Sequence, residues 1–196
     1  MARPRKDQED TAVQRLQAAF WEALADMPYH KITVTELVGR AHVNRNAFYY
    51  HYEDIHALTL AAIREEFDAH GVARALVQGI QSGSVGFDQV VESRVDTLND
   101  KERLRHALLL CGPNSSQELI GMLSSSMRTA WLQMLGLEEG DLGEEDRLVL
   151  DFTLGGIIAI LPRWLQMVED GGAQSVAQFP LVKESVQRVL AIGARR

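Results

Sequence analysis

The chain is nearly devoid of cysteine. Cys111 is the one thiol among 196 residues, so no intrachain disulfide can form and a small disulfide-stapled secreted fold is excluded. Proline is also scarce, with five residues, and strand-like alternation is almost absent. No apolar run approaches the roughly 18 residues of a membrane span. The longest, 154–161, is eight residues, holds two glycines and runs into Pro162. Arg3, Arg5 and Lys6 are followed by acids rather than by the apolar segment of a signal peptide. These absences lead to the expectation of a cytoplasmic protein with no membrane contact. There is no excess of positive charge either: the formal net charge is −7. A protein coated in basic residues for nucleic acid is excluded, though one local basic face is not. What is present is ordinary globular material, 46% hydrophobic and 24% charged. That composition excludes disorder along the whole chain, and the length gives one large domain or two small ones.

Helical spacing runs throughout. A first helix is predicted over 8–27, with Val13, Leu16, Phe20, Leu24 and Met27 on one face and Pro28 as its stop. Thr33-Val-Thr-Glu36 has the form of a capping box, in which Thr33 accepts the Glu36 amide and the Glu36 carboxylate reaches back. It opens a second helix whose inner face is Val34, Leu37, Val38 and Ala41. Asn44 is the N-cap of a short third helix, 45–51, and Asp54 of a fourth that carries Leu58, Ala62, Ile63 and Phe67 inward. A glycine- and serine-rich stretch, 79–86, is a candidate boundary. Further helices are predicted near 87–99, 101–111, 115–136, 144–169 and 174–194, with a kink at Pro162. The fold class is all-α.

Residues 33–52 carry the functional signal. Two short capped helices around a tight turn make a helix-turn-helix, whose second helix presents its outer face to a DNA major groove. That face holds Arg45, Asn46, Tyr49 and Tyr50. Arg45 can fork onto guanine acceptors or a phosphate, and Asn46 can pair with adenine at two points. Tyr49, Tyr50 and His51 can bond phosphate oxygens. Thr33 and Thr35 open the preceding helix, where free amides suit a phosphate. Phe48 and Tyr52 are expected to face inward, as is Val43 in the turn. Two short helices with a tight turn also occur as plain structure in many folds.

The stretch from Ile32 to Asp54, with its Thr cap, Ala-His-Val turn, Asn cap and Phe-Tyr-Tyr-His-Tyr run, resembles the DNA-binding signature of the TetR family of transcriptional regulators. The resemblance covers about residues 8–67. A weaker cue, 155–165, is similar to the glycine-to-Trp-Leu segment of a dimer-forming helix in that family. The resemblance implies a three-helix DNA-binding head over 1–54, with the fourth helix as connector. It implies a helical ligand-binding and dimerisation body over 55–196. It also implies a homodimeric repressor of a double-stranded operator, released by a small molecule. Two positions depart from the family pattern. His42 stands where glycine is usual, and a left-handed conformation there costs histidine roughly 1 kcal/mol more. Ile55 stands where a phosphate-touching lysine is common. Residues 1–67 carry eight basic and ten acidic side chains, a balance of −2. The basic residues Arg3, Arg5 and Lys6 can compensate as an arm on phosphates or in the minor groove. These departures motivate the alternative of a TetR-like coregulator acting through protein partners, with a weak or unused head.

The body is less specific. Met122, Trp131, Met134, Phe152 and Trp164 could line a pocket for a small apolar ligand, or form plain core. Gly155, Gly156 and Ala159 make a small-residue face on one late helix, and Val182, Val186, Val189 and Leu190 a stripe on the last. Paired across two subunits these give a four-helix dimer interface; otherwise both stripes face the chain's own core. No nucleophile–base pair stands at useful spacing and the six histidines show no metal spacing. The expectation is therefore of no enzyme, no cofactor and no metal. Cys111, beside Leu108-Leu-Leu110, reads as a buried apolar residue.

Overall fold

The structure is a computed structural model, and it describes residues 6–68, 101–169 and 180–194. The predicted helix near 87–99, the 79–86 boundary and the residues Arg3 and Arg5 lie outside these. The described residues are helical, with no strand. Their helices are α1 (Lys6–Asp26), α2 (Val34–Arg40), α3 (Arg45–His51) and α4 (Ile55–Asp68), then α5 (Lys101–Cys111), α6 (Gln117–Leu135), α7 (Glu144–Glu169) and α8 (Pro180–Ala194).

The starts of α2, α3 and α4 are each set by a side chain. Thr33 Oγ1 accepts the Glu36 amide at 3.2 Å, Asn44 Oδ1 the Ala47 amide at 2.8 Å, and Asp54 Oδ1 the Ala57 amide at 2.8 Å. These satisfy donors that the helix itself leaves open. The reciprocal half of the box at Thr33 does not form. The Glu36 carboxylate instead accepts from Arg40 Nε at 2.8 Å, one turn on, while Arg40 Nη1 reaches Asp26 at 2.7 Å. A guanidinium is the stronger competitor for that carboxylate. The α2–α3 turn passes through His42 at φ +51°, the one positive-φ residue other than glycine among the described residues.

Two apolar cores hold the chain. The first joins Leu16, Phe20 and Leu24 of α1 to Leu37, Phe48, Leu58 and Ile63. It does not stop at residue 54: Leu110, Leu119, Met122, Leu123 and Ile158 belong to it. Val43 packs on it half-buried. The second core joins Leu132 and Leu135 of α6, Leu150 and Leu154 of α7, and Val186, Val189 and Leu190 of α8. α6 ends at Gly136, whose φ of +67° is the left-handed stop that glycine supplies without strain. α7 continues as helix through Pro162.

Polar contacts tie the head to the body. Asn114, in the α5–α6 loop, donates from Nδ2 to the Leu24 and Ala25 carbonyls at 3.0 and 3.1 Å. Its own carbonyl accepts the Tyr29 amide at 2.9 Å. The open C-terminal carbonyls of α1 are thus capped from a loop 90 residues away in the chain. Beside α4, His106 Nδ1 lies 2.9 Å from Glu66 Oε2, and its ring stacks on Trp21 at 4.2 Å.

Candidate nucleic-acid interface

α3 is anchored from inside. Phe48 is fully buried and Tyr52, which follows the helix, is nearly so. Tyr52 Oη accepts a long 3.5 Å contact from Gln17 Nε2 of α1. Burial pushes the Tyr52 hydroxyl above the usual phenol range. With that side held, the helical period turns Arg45, Asn46, Tyr49 and Tyr50 outward. Tyr50 is 68% exposed and Tyr49 is 49% exposed, unusual for aromatic rings with an apolar core one residue away. His51 is half-buried and meets the Tyr50 ring edge-on at 4.9 Å.

The remaining predicted contacts divide in two. Thr33 and Thr35 are exposed at the start of α2. The oxygens of Thr33 and Asn44 are occupied as helix caps, so both fix the starts of α2 and α3. Lys6 opens α1. Among fixed cations near the turn, Arg40 is withdrawn: the Asp26 and Glu36 carboxylates hold its guanidinium and raise its pKa further. Lys31, in the 3₁₀ turn Tyr29–Lys31 before α2, is exposed and was not singled out from sequence, because a lone lysine in a turn carries no periodic signal.

An open cavity of about 360 Å³ lies between the head and α6, with Tyr29, Val34, Tyr49, Asp54 and His56 in its wall. Glu53 and Glu118 also line it, and His56 Nδ1 lies 3.3 Å from Glu118 Oε1. Tyr29 is buried there with its hydroxyl accepting from Thr59 at 3.3 Å, and burial raises its pKa. Carboxylates therefore flank α3 on its body side.

The candidate pocket residues are dispersed. Met122 is in the first core, and Trp131 and Met134 lie half-buried against the second. Phe152 is 70% exposed. It stands about 200° around α7 from both Leu150 and Leu154, which face inward. Trp164 lies in α7, its side chain outside the described residues. The two candidate dimer stripes also separate. Val186, Val189 and Leu190 are buried in the chain's own second core, and Val182 packs half-buried against it. Gly155, Gly156 and Ala159 are exposed, with open space where a Cβ would stand on either glycine. They share that outer face with Leu148 and Phe152.

No protein-family model matches the sequence, and no curated protein does. A solved structure does match, that of a TetR family transcription regulator from Marinobacter aquaeolei VT8. The alignment covers 96% of this chain and 98% of that one, with a TM-score of 0.51 and 14% identity. This chain has the TetR fold. The likeness spans head and body together, whereas the sequence resemblance is strong only over the head. At such low identity the likeness is one of fold. Among the described residues no helix is long and apolar enough to cross a membrane.

Proposed function

We propose that this chain is a TetR-type DNA-binding transcriptional regulator, a cytoplasmic homodimer that represses and leaves its operator when a small apolar ligand binds. The observation that carries this reading is the outward row of Arg45, Asn46, Tyr49 and Tyr50 on a helix anchored by fully buried Phe48, within a TetR fold. Such a row suits the major groove, with arginine and asparagine for base edges and tyrosine for phosphates. Arg3, Arg5 and Lys6 add a basic arm at the N-terminus.

Two copies are needed, because one short helix reads too few bases to bind well alone. A two-fold dimer reads half-sites about one helical turn, or a multiple, apart. The face of α7 with Leu148, Phe152, Gly155, Gly156 and Ala159 supports that pairing: it is apolar, exposed and smooth enough for close helix approach. Release follows from a population shift. A ligand in the body, within residues 87–170, favours a dimer whose reading helices no longer match adjacent grooves, with α4 as the lever.

A second reading, the coregulator working through protein partners, is favoured by Glu53, Asp54 and Glu118 beside the reading helix and by the withdrawn charge of Arg40. Fluorescence anisotropy separates the two. The full chain is titrated against duplex from its own upstream region and against a random-sequence pool, at two salt concentrations, beside an Arg45→Ala/Asn46→Ala variant. Selective, salt-weakened binding that the variant loses supports the regulator. No binding to either duplex at low salt overturns it in favour of the coregulator.

A further inference from the structure

Tyr49 does something on this face besides offering a hydroxyl to a phosphate. Arg45 Nη2 donates to Tyr49 Oη at 3.2 Å, and the guanidinium carbon lies 5.6 Å from the centre of the same ring. The ring is itself held: it meets fully buried Phe48 edge-on, 5.3 Å between centroids at 85°. A chain of contacts therefore runs from the core through Phe48 and Tyr49 to the one arginine on the outer face of α3. The two residues are one turn apart, the spacing at which helical side chains meet.

We propose that Tyr49 is a positioning residue for base recognition, fixing the Arg45 guanidinium on the reading face before DNA arrives; this rests on the DNA-binding reading above. A guanidinium has five N–H donors, and the bond to Tyr49 uses one. The rest stay available for the two acceptors of a guanine edge. An unrestrained surface arginine gives up its rotamer freedom when it binds. A guanidinium already held beside the ring and hydrogen-bonded gives up less. The hydroxyl accepts from Arg45 and keeps its own proton, so any bond it makes to a phosphate is made from a place that Arg45 shares.

The test uses the full chain and a duplex that the wild type selects from a random pool. Wild type, Tyr49→Phe, Arg45→Ala and the double variant are titrated against that duplex and against versions with each base pair changed in turn. Tyr49→Phe is expected to weaken binding about two- to tenfold. The loss falls at the base pair where Arg45→Ala also loses discrimination, and the double variant binds no more weakly than Arg45→Ala alone. Losses that multiply in the double variant, with Tyr49→Phe weakening every sequence alike, overturn the positioning role and leave Tyr49 as a phosphate contact. A wild type that selects no duplex overturns the DNA-binding reading and this role with it. Nuclear magnetic resonance of the free protein gives a readout without DNA. Rotation about the Arg45 Nε–Cζ bond is expected to be slower in wild type than in Tyr49→Phe, and equal rates overturn the proposal.

Discussion

Replacing Asn114 with alanine tests how the head is joined to the body. The side chain donates to two carbonyls at the end of α1, Leu24 and Ala25, at 3.0 and 3.1 Å, and is itself partly buried. Alanine removes both bonds but keeps the backbone bond from Tyr29 to the Asn114 carbonyl. The substitution therefore isolates the side chain. A net intramolecular hydrogen bond contributes about 1 kcal/mol, so the expected loss is about 2 kcal/mol. For a chain of this length that lowers Tm by about 4–8 °C. The assay is urea and thermal unfolding followed by circular dichroism, with every variant at one protein concentration, since pairing of copies shifts apparent stability. Asn114→Asp is the companion. It loses both donors and sets a carboxylate against two carbonyl oxygens, so it should be at least as damaging as alanine. A loss below about 0.5 kcal/mol for alanine, or an aspartate variant more stable than the alanine one, would refute the capping role.

Further outcomes follow from other contacts. Phe152→Asp, on a residue 70% exposed, should leave helicity intact and shift sedimentation from two copies to one; an unchanged dimer moves the interface off this face. Asn44→Ala removes the acceptor of the Ala47 amide and should cost about 1 kcal/mol in urea unfolding, with Asn44→Asp largely restoring it. Gly112→Ala puts a Cβ 2.8 Å from the Leu108 backbone oxygen, so the backbone must shift; a loss of about 1–3 kcal/mol is expected, against a gain of about 0.5–1 kcal/mol for Gly121→Ala inside α6, where space is open. Tyr29 and Tyr52 keep their protons more tightly folded than unfolded, because burial raises both above the usual 10.0. The unfolded chain ionises first as pH rises, so their contribution is intact below that value and lost above it. Urea midpoints at pH 9 and 11 read the fall, and Tyr52→Phe should lessen it.

Much of the head was legible because its determinants are local. Thr33, Asn44 and Asp54 act within three residues of themselves, and an oxygen-bearing side chain ahead of an apolar-periodic run signals that directly. The left-handed turn at His42 is legible only through the family pattern, which has glycine there. The turn of Glu36 away from the Thr33 amide is not legible, because its competitor Arg40 is fastened from outside α2, by Asp26. Asn114 left no trace, because its partners lie 89 and 90 residues away and an asparagine before two serines looks like any turn. The body was harder for a geometric reason. Periodicity tells which residues share a face, not what covers it. The stripe of Val186, Val189 and Leu190 is covered by its own chain, while that of Gly155, Gly156 and Ala159 is left bare.

The core that runs past residue 54 bears on exchanging N-terminal heads between proteins of this fold. A cut there leaves Phe20, Leu37 and Phe48 without Leu58 and Ile63 of α4 and the leucines of α5 and α6 that complete their packing. A donor head grafted onto this body must match the shape of that seam and present α1 carbonyls where Asn114 can reach them. On the DNA-binding reading proposed above, new specificity is therefore easier to reach by changing the outward residues of α3 than by transplanting the whole head.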